Sequence, residues 1–169
     1  TNGLVYTFRI REGARFQPDA CFPGGEGRPV VAGDVVYSLN RLADKANASS
    51  GLWTMEAVAR VAAVDPRTVR ITLKRPLHVF PWLMAMPHEA VARNGVKFGG
   101  VAVGSGPYRL AEWWRNHRMR FRRDPTWRGW REIKTTPYDE IDYFVVDDVS
   151  TQWLMFLSRE VDFLGEVSH

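Results

Sequence analysis

Leu4, Tyr6, Phe8 and Ile10 alternate with Val5, Thr7 and Arg9, the two-residue period of a strand with one buried face. A loop rich in Gly and Pro follows from Arg11 to Val31. Val35, Leu39 and Leu42, with Val36 beside them, then fall on one helical face. This predicts a helix of about ten residues from Gly33-Asp34, with Asp34 placed to suit the helix dipole. Trp53 to Val61 reads as a short helix. Val61 to Val64 and Val69 to Leu73 read as a hairpin, with Pro66 fixing φ in the turn Asp65-Pro66-Arg67-Thr68. Leu77 to Met86 reads as a buried apolar segment, and Glu89 to Arg93 as a helical turn closed by Asn94-Gly95. A second hairpin joins Tyr108–Trp113 to Met119–Arg123 around Arg115-Asn116-His117. Ile141 to Val146 reads as a strand, Ser150 to Ser158 as a helix capped by Ser150, and Val161 to Leu164 as a last strand.

Strands and helices that alternate, with hairpins among them, define an α/β chain with mixed sheets. The Gly-rich stretch from Gly99 to Pro107 is the natural boundary between two lobes. The apolar share of 45% and charged share of 25% are those of a folded domain, which excludes wholesale disorder. The longest apolar run, Val79 to Pro87, is interrupted by Pro81 and falls far short of the roughly 20 residues that span a bilayer. A single cysteine, Cys21, excludes an internal disulfide and a Cys-based zinc site, and the net charge of +4 permits an acidic partner without requiring one.

The pattern offers little chemistry. The four histidines, His78, His88, His117 and His169, are scattered without ligand spacing, so no metal site is expected. Gly24 to Arg28 lacks the lysine and hydroxyl of a phosphate loop and reads as a flexible surface loop. Gly104-Ser105-Gly106 fails the spacing of a nucleophile elbow. The adjacent acids Asp139-Glu140 and Asp147-Asp148 suit turns and caps better than an acid–base couple. No catalytic machinery and no cofactor are therefore expected.

Trp113 to Arg131 holds seven arginines and four tryptophans against the single acid Asp124. Such interleaving could bind single-stranded nucleic acid through phosphate contacts and base stacking, and a basic, aromatic nucleic-acid-binding module is the alternative reading of the chain. The plainer assignment is a hairpin whose Arg118, Arg120 and Arg122 face solvent while Trp side chains and Phe121 fill the core, with no nucleic acid as partner.

Read in order, several stretches resemble one family. Tyr6 to Phe16 (YTFRIREGARF), Val31 to Arg41 (VAGDVVYSLNR), Val64 to Leu73 (VDPRTVRITL), Val103 to Tyr108 (VGSGPY), Asp124 to Trp127 (DPTW) and Ser158 to Phe163 (SREVDF) are similar to successive motifs of the extracytoplasmic solute-binding proteins for dipeptides, oligopeptides and nickel chelates. Each is weak alone; together they cover nearly the whole chain in the right order. Gly33 stands where the family commonly has Glu, Asp124 where it has Asn, and Arg159 where it has Gly before Glu-Val-Asp. The loop from Asp19 to Pro29 is also longer than usual. These departures bear on the solute, since the family has no catalytic residue.

The resemblance implies a fold of the type II periplasmic-binding-protein kind. Its partners would be a peptide or other small solute and the membrane permease of an ATP-binding-cassette importer. The location would be periplasmic, or extracellular and membrane-anchored. Residues 1–103 would form most of a small insert lobe, and 104–169 the first returning part of the main ligand-binding lobe. Tyr37 resembles a tyrosine that reaches the ligand main chain, and Trp53 lies where some relatives place a cleft-facing aromatic. Each has a plainer alternative as a core aromatic. Met86, with Pro87, is a third candidate, and Gly104, Gly106 and Pro107 are assigned to the lobe connection. The chain reads as opening within a strand and has no initiator methionine at its first position, the pattern expected of a trimmed product. It is expected to be an internal piece that alone binds its solute weakly and self-associates through uncovered apolar surface.

Overall fold

A computed structural model describes residues 3–47, 49, 51–84, 103–134 and 138–165. The chain divides into two compact units, Thr1–Arg109 with Asp124–Thr135, and Leu110–Arg123 with Thr136–His169.

The first unit is built on a three-stranded sheet. Strand β1 (Val5–Arg9) and β2 (Val58–Asp65) flank the central β3 (Thr68–Leu73), and both ladders are antiparallel. Tyr6 stands opposite Ile71, and Phe8 opposite Val69. One face is thus lined by Tyr6, Phe8, Val69, Ile71 and Leu73, the period-2 set that the alternation selects. Helix α1 (Ala32–Ala43) covers it with Ala32, Val35, Val36, Leu39 and Leu42, and helix α2 (Phe80–Met84) closes the core with the fully buried Phe80. Tyr6 ties this end down by donating from its hydroxyl to the Leu77 carbonyl at 2.8 Å.

Two expectations change here. Trp53 to Val61 is not one helix: a single 3-10 turn at Leu52–Met55 gives way to β2 at Val58. Val58 and Val61 are β-branched and pair with Leu73 and Ile71, so the ladder outcompetes a weak helical stripe. The segment around α2 is buried only in part, since Phe80 is enclosed while Val79 and Trp82 are exposed. The turn expected at Glu89 to Gly95 lies outside the described residues.

The loop from Arg11 to Val31 is not a loose surface excursion. Phe16 and Phe22 form a second small core, their rings 5.8 Å apart. Arg28 lies over Phe16 and grips the buried Asp34 carboxylate with both terminal nitrogens, at 2.6 and 2.7 Å. The same carboxylate accepts the Val31 N–H at 2.9 Å, which anchors the start of α1. Asp34 therefore serves packing as well as the helix dipole, and the Arg28 guanidinium is held charged mainly by its hydrogen bonds to Asp34. Gly27 has no alternative, because a Cβ there would come within 1.8 Å of the Phe16 carbonyl oxygen.

The second unit carries the order β4 (Tyr108–Trp114), β5 (Arg118–Arg123), β6 (Glu140–Phe144), followed by helix α3 (Val149–Leu157). Asn116, at φ 57°, makes the bend between β4 and β5, a backbone that Asn tolerates better than most residues. Asp148, not Ser150, caps α3: its carboxylate accepts the backbone N–H of Thr151 at 2.7 Å and the Thr151 hydroxyl at 2.6 Å. No strand forms at Val161 to Leu164; the chain after α3 is irregular there.

Candidate functional site

Tyr37 lies on α1 but off its apolar stripe. With Val36 and Leu39 committed to the core, helical geometry turns Tyr37 outward, and it is 38% exposed. Trp53 occupies the 3-10 turn whose neighbours Thr54 and Met55 are buried, and it is 52% exposed. This turn adjoins α1, since a Cβ added at Gly51 would come within 2.9 Å of Leu42. Neither aromatic is a core residue, so the plainer alternative of a buried packing role does not describe them. Met86 and Pro87 lie outside the described residues.

The stretch assigned to the lobe connection is held by Gln17, which no sequence motif marked, and by Asp124 and Trp127 of the DPTW motif. Five consecutive carbonyl oxygens each accept a hydrogen bond. Gln17 N–H donates to Gly104 at 2.8 Å, and the Trp127 indole N–H to Ser105 at 3.1 Å. The Gln17 carboxamide donates to Gly106 at 2.9 Å and Tyr108 at 2.7 Å, and Asp124 N–H to Pro107 at 2.8 Å. Gln17 and Asp124 are themselves buried. The Asp124 carboxylate binds the Thr126 N–H and hydroxyl, and its carbonyl takes the Trp130 indole N–H at 2.6 Å. Trp130 then meets Trp127 and Tyr108 edge to face, with centroids 5.1 and 5.8 Å apart. Gly104 and Gly106 have no positive φ and leave room for a Cβ, so glycine's freedom is not what shapes the crossing. The conformation is imposed from Gln17, Asp124 and Trp127.

The arginine-rich hairpin departs from expectation. Arg118, Arg120 and Arg122 do not simply face water. They stand opposite Phe144, Asp142 and Glu140 on β6. Arg120 forks Asp142 with two bonds of 2.8 Å, and Arg122 bonds Glu140 at 2.7 Å. The hydrogen bond from Arg120 is the main reason the Asp142 carboxyl sits below the usual carboxylate range. Trp113 and Trp114 are exposed rather than in the core, each under an arginine: Arg115 over Trp113 and Arg118 over Trp114. Guanidinium groups already paired with carboxylates are poor phosphate ligands, so the alternative nucleic-acid module finds no support in this hairpin.

Cys21 is no activated nucleophile. Burial first, then its hydrogen bond to Asp19, pushes the thiol above its ordinary value and keeps it protonated. Among the described residues no three His, Cys, Asp or Glu side chains group as metal ligands, and no helix is long and apolar enough to cross a membrane.

The model of the bacterial extracellular solute-binding proteins, family 5 middle region, matches residues 1–169. The chain belongs to that family. It is 30% identical over 168 residues to the glutathione-binding protein GsiB of Escherichia coli K12, covering 96% of this chain and 31% of the relative. Its fold is that of OppA from Burkholderia pseudomallei (TM-score 0.75, 24% identity, 94% of this chain and 34% of that one). It is equally recognisable in DppA from Helicobacter pylori in complex with the peptide STSA (TM-score 0.68, 22% identity, 95% and 34%). The fold is thus of the type II periplasmic-binding-protein kind, and the chain spans about a third of the length of the relatives it matches. In the family frame Gln17, which no motif singled out, joins Asp124 and Trp127 of the DPTW motif in securing the VGSGPY motif. Nothing local marked Gln17 for this role, and Asp124, which follows Arg122-Arg123, carries no local sign of its burial.

Proposed function

We propose that this chain is the middle part of a receptor that captures peptides or related small solutes for an ATP-binding-cassette importer and hands them to its membrane permease. The observation that carries the reading is the family match over residues 1–169, joined to a fold shared with a peptide-bound relative. Glutathione, named for GsiB, is itself a small peptide, which supports a peptide-like solute.

In this reading residues 1–103 belong to a small insert lobe and 104–169 to the returning part of the main lobe. Tyr37 and Trp53 offer the solute a hydroxyl and a flat apolar surface, which suits a pocket that accepts varied side chains. Met86 is the third candidate. Gly104, Gly106 and Pro107 form the lobe connection. The receptor works by enclosing its solute and performs no turnover, and it acts in the periplasm or at the outer face of the cell. Titration of the full-length gene product with a peptide library, while the peptides are assayed for cleavage, tests this directly. Saturable binding with intact peptides supports it, and cleavage or the absence of binding overturns it.

A further inference from the structure

The first unit contains a cavity of about 410 Å³ that lies apart from Tyr37 and Trp53 along the chain, between the Arg11–Pro18 turn and the Thr126–Gly129 turn. Its walls carry three arginines, Arg11, Arg15 and Arg128, and one acid, Glu26, with Phe16 and Trp127 supplying apolar surface. We propose that this cavity, whose lining includes neither of the candidate solute residues Tyr37 and Trp53, is a binding site for a small oxyanion, a carboxylate or a phosphate.

The argument rests on how the guanidinium groups are employed. Arg11 and Arg128 share one carboxylate, that of Glu132, at 2.9 and 3.7 Å. Arg128 also donates to the Glu12 carbonyl. One acid serving two cations leaves the local charge positive. Arg15 donates from Nε to the Gly27 carbonyl at 3.1 Å, which fixes the plane of its guanidinium. Its two terminal nitrogens have no protein partner among the described residues, so a paired set of donors remains, the geometry that a carboxylate or phosphate takes bidentately.

The walls are also stiff. A Cβ at Gly27 would collide with the Phe16 carbonyl, and one at Gly129 with the Trp127 ring at 2.0 Å, so both turns are packed to contact. Three positive groups around a partly apolar, rigid hollow concentrate an anion, and Glu26 on the same wall opposes it.

The test is calorimetric titration of the full-length gene product, free of transported solute, with inorganic phosphate and separately with succinate, at low and at high salt. Saturable one-to-one binding of either anion, with a dissociation constant below about 1 mM and weakened by salt, is expected. The anion bound more tightly identifies the source. Arg15→Gln should weaken it about tenfold, the scale of one charge-assisted hydrogen bond, and Glu26→Gln should tighten it, with the melting temperature checked for each variant. Should Arg15→Gln fail to fold, Glu26→Gln decides alone. No saturable binding of either anion, or an affinity indifferent to the substitutions, overturns the proposal. Peptide binding is read in a separate titration, so failure here leaves the receptor reading standing.

Discussion

The carboxamide nitrogen of Gln17 lies 2.9 Å from the carbonyl oxygen of Gly106, a bond that joins positions 89 residues apart. The same nitrogen serves Tyr108, and the side chain is only 4% exposed. A buried amide between two carbonyls is a specific fastening, because no apolar side chain can replace its donors. Gln17→Leu should destabilise the fold by on the order of 1–3 kcal/mol for each buried acceptor left without a donor. Gln17→Glu should cost more at neutral pH and recover in acid, when the carboxyl regains a proton to donate. Urea unfolding of both variants checks this, and wild-type stability in Gln17→Leu would remove Gln17 from the account.

Arg159 sits at φ 64° immediately after α3, in the left-handed region that favours glycine. Its N–H bonds the Phe156 carbonyl and that of Glu160 the Met155 carbonyl, the paired bonds of a Schellman ending. The motif that SREVDF resembles has Gly at this place, and a left-handed backbone is a reason for it. Arg159→Gly should therefore stabilise the chain by up to about 1 kcal/mol, net of the extra freedom it gives the unfolded state. A lower urea midpoint in the variant would contradict this.

Asp142 predicts an acid-labile second unit. Its carboxyl is depressed chiefly by its hydrogen bonds to Arg120, so its stabilising contribution is present above the unfolded value near 3.9. That contribution is lost as pH falls through the lower folded value. Asp142→Asn should lower stability at neutral pH and shrink the loss on acidification. It will not abolish that loss, because Asp65 and Asp148 are depressed as well. Urea midpoints from about pH 2 to 7 provide the comparison. Identical acid limbs in the two proteins would rule out the Arg120–Asp142 pair as a cause.

These particulars also mark what could be read in advance. The alternation of Tyr6, Phe8 and Ile10, the stripe of α1 and the turn at Pro66 are local patterns, and each produced the expected element. The Asp148 cap and the start of β2 at Val58 were misplaced by a few residues, because neighbouring hydroxyls and β-branched positions compete for the same role. Pairing between distant segments left no local trace. Arg120 meets Asp142 only once the register of β5 and β6 is set, and Gln17 meets Gly106 only once the fold is closed. The helical stripe alone left Tyr37 open to a core role, and its exposure, like that of Trp53 in the 3-10 turn, is visible only in the fold.

Helix α3 has no buried residue although it contains Trp153, Leu154, Met155, Phe156 and Leu157. Leu154 and Leu157 are exposed, and the apolar residues Ile141 and Tyr143 on β6 are exposed too. Surface of this kind favours association. The isolated chain should show a mass that rises with concentration in light scattering, and Leu154→Glu with Leu157→Lys should reduce the rise. A strictly monomeric isolated chain at every concentration would contradict the expectation.

The most direct test of solute capture is a calorimetric titration of the full-length gene product and of this 169-residue chain with the same peptides, glutathione among them. Good small-molecule sites enclose about 70–90% of their ligand, so the full-length protein should bind tightly and the chain alone weakly. Tyr37→Ala and Trp53→Ala should each weaken binding by the full-length protein about tenfold, a loss of roughly 1.4 kcal/mol. Equal affinities for the two lengths, no saturable binding by the full-length protein, or indifference to both substitutions would contradict the account.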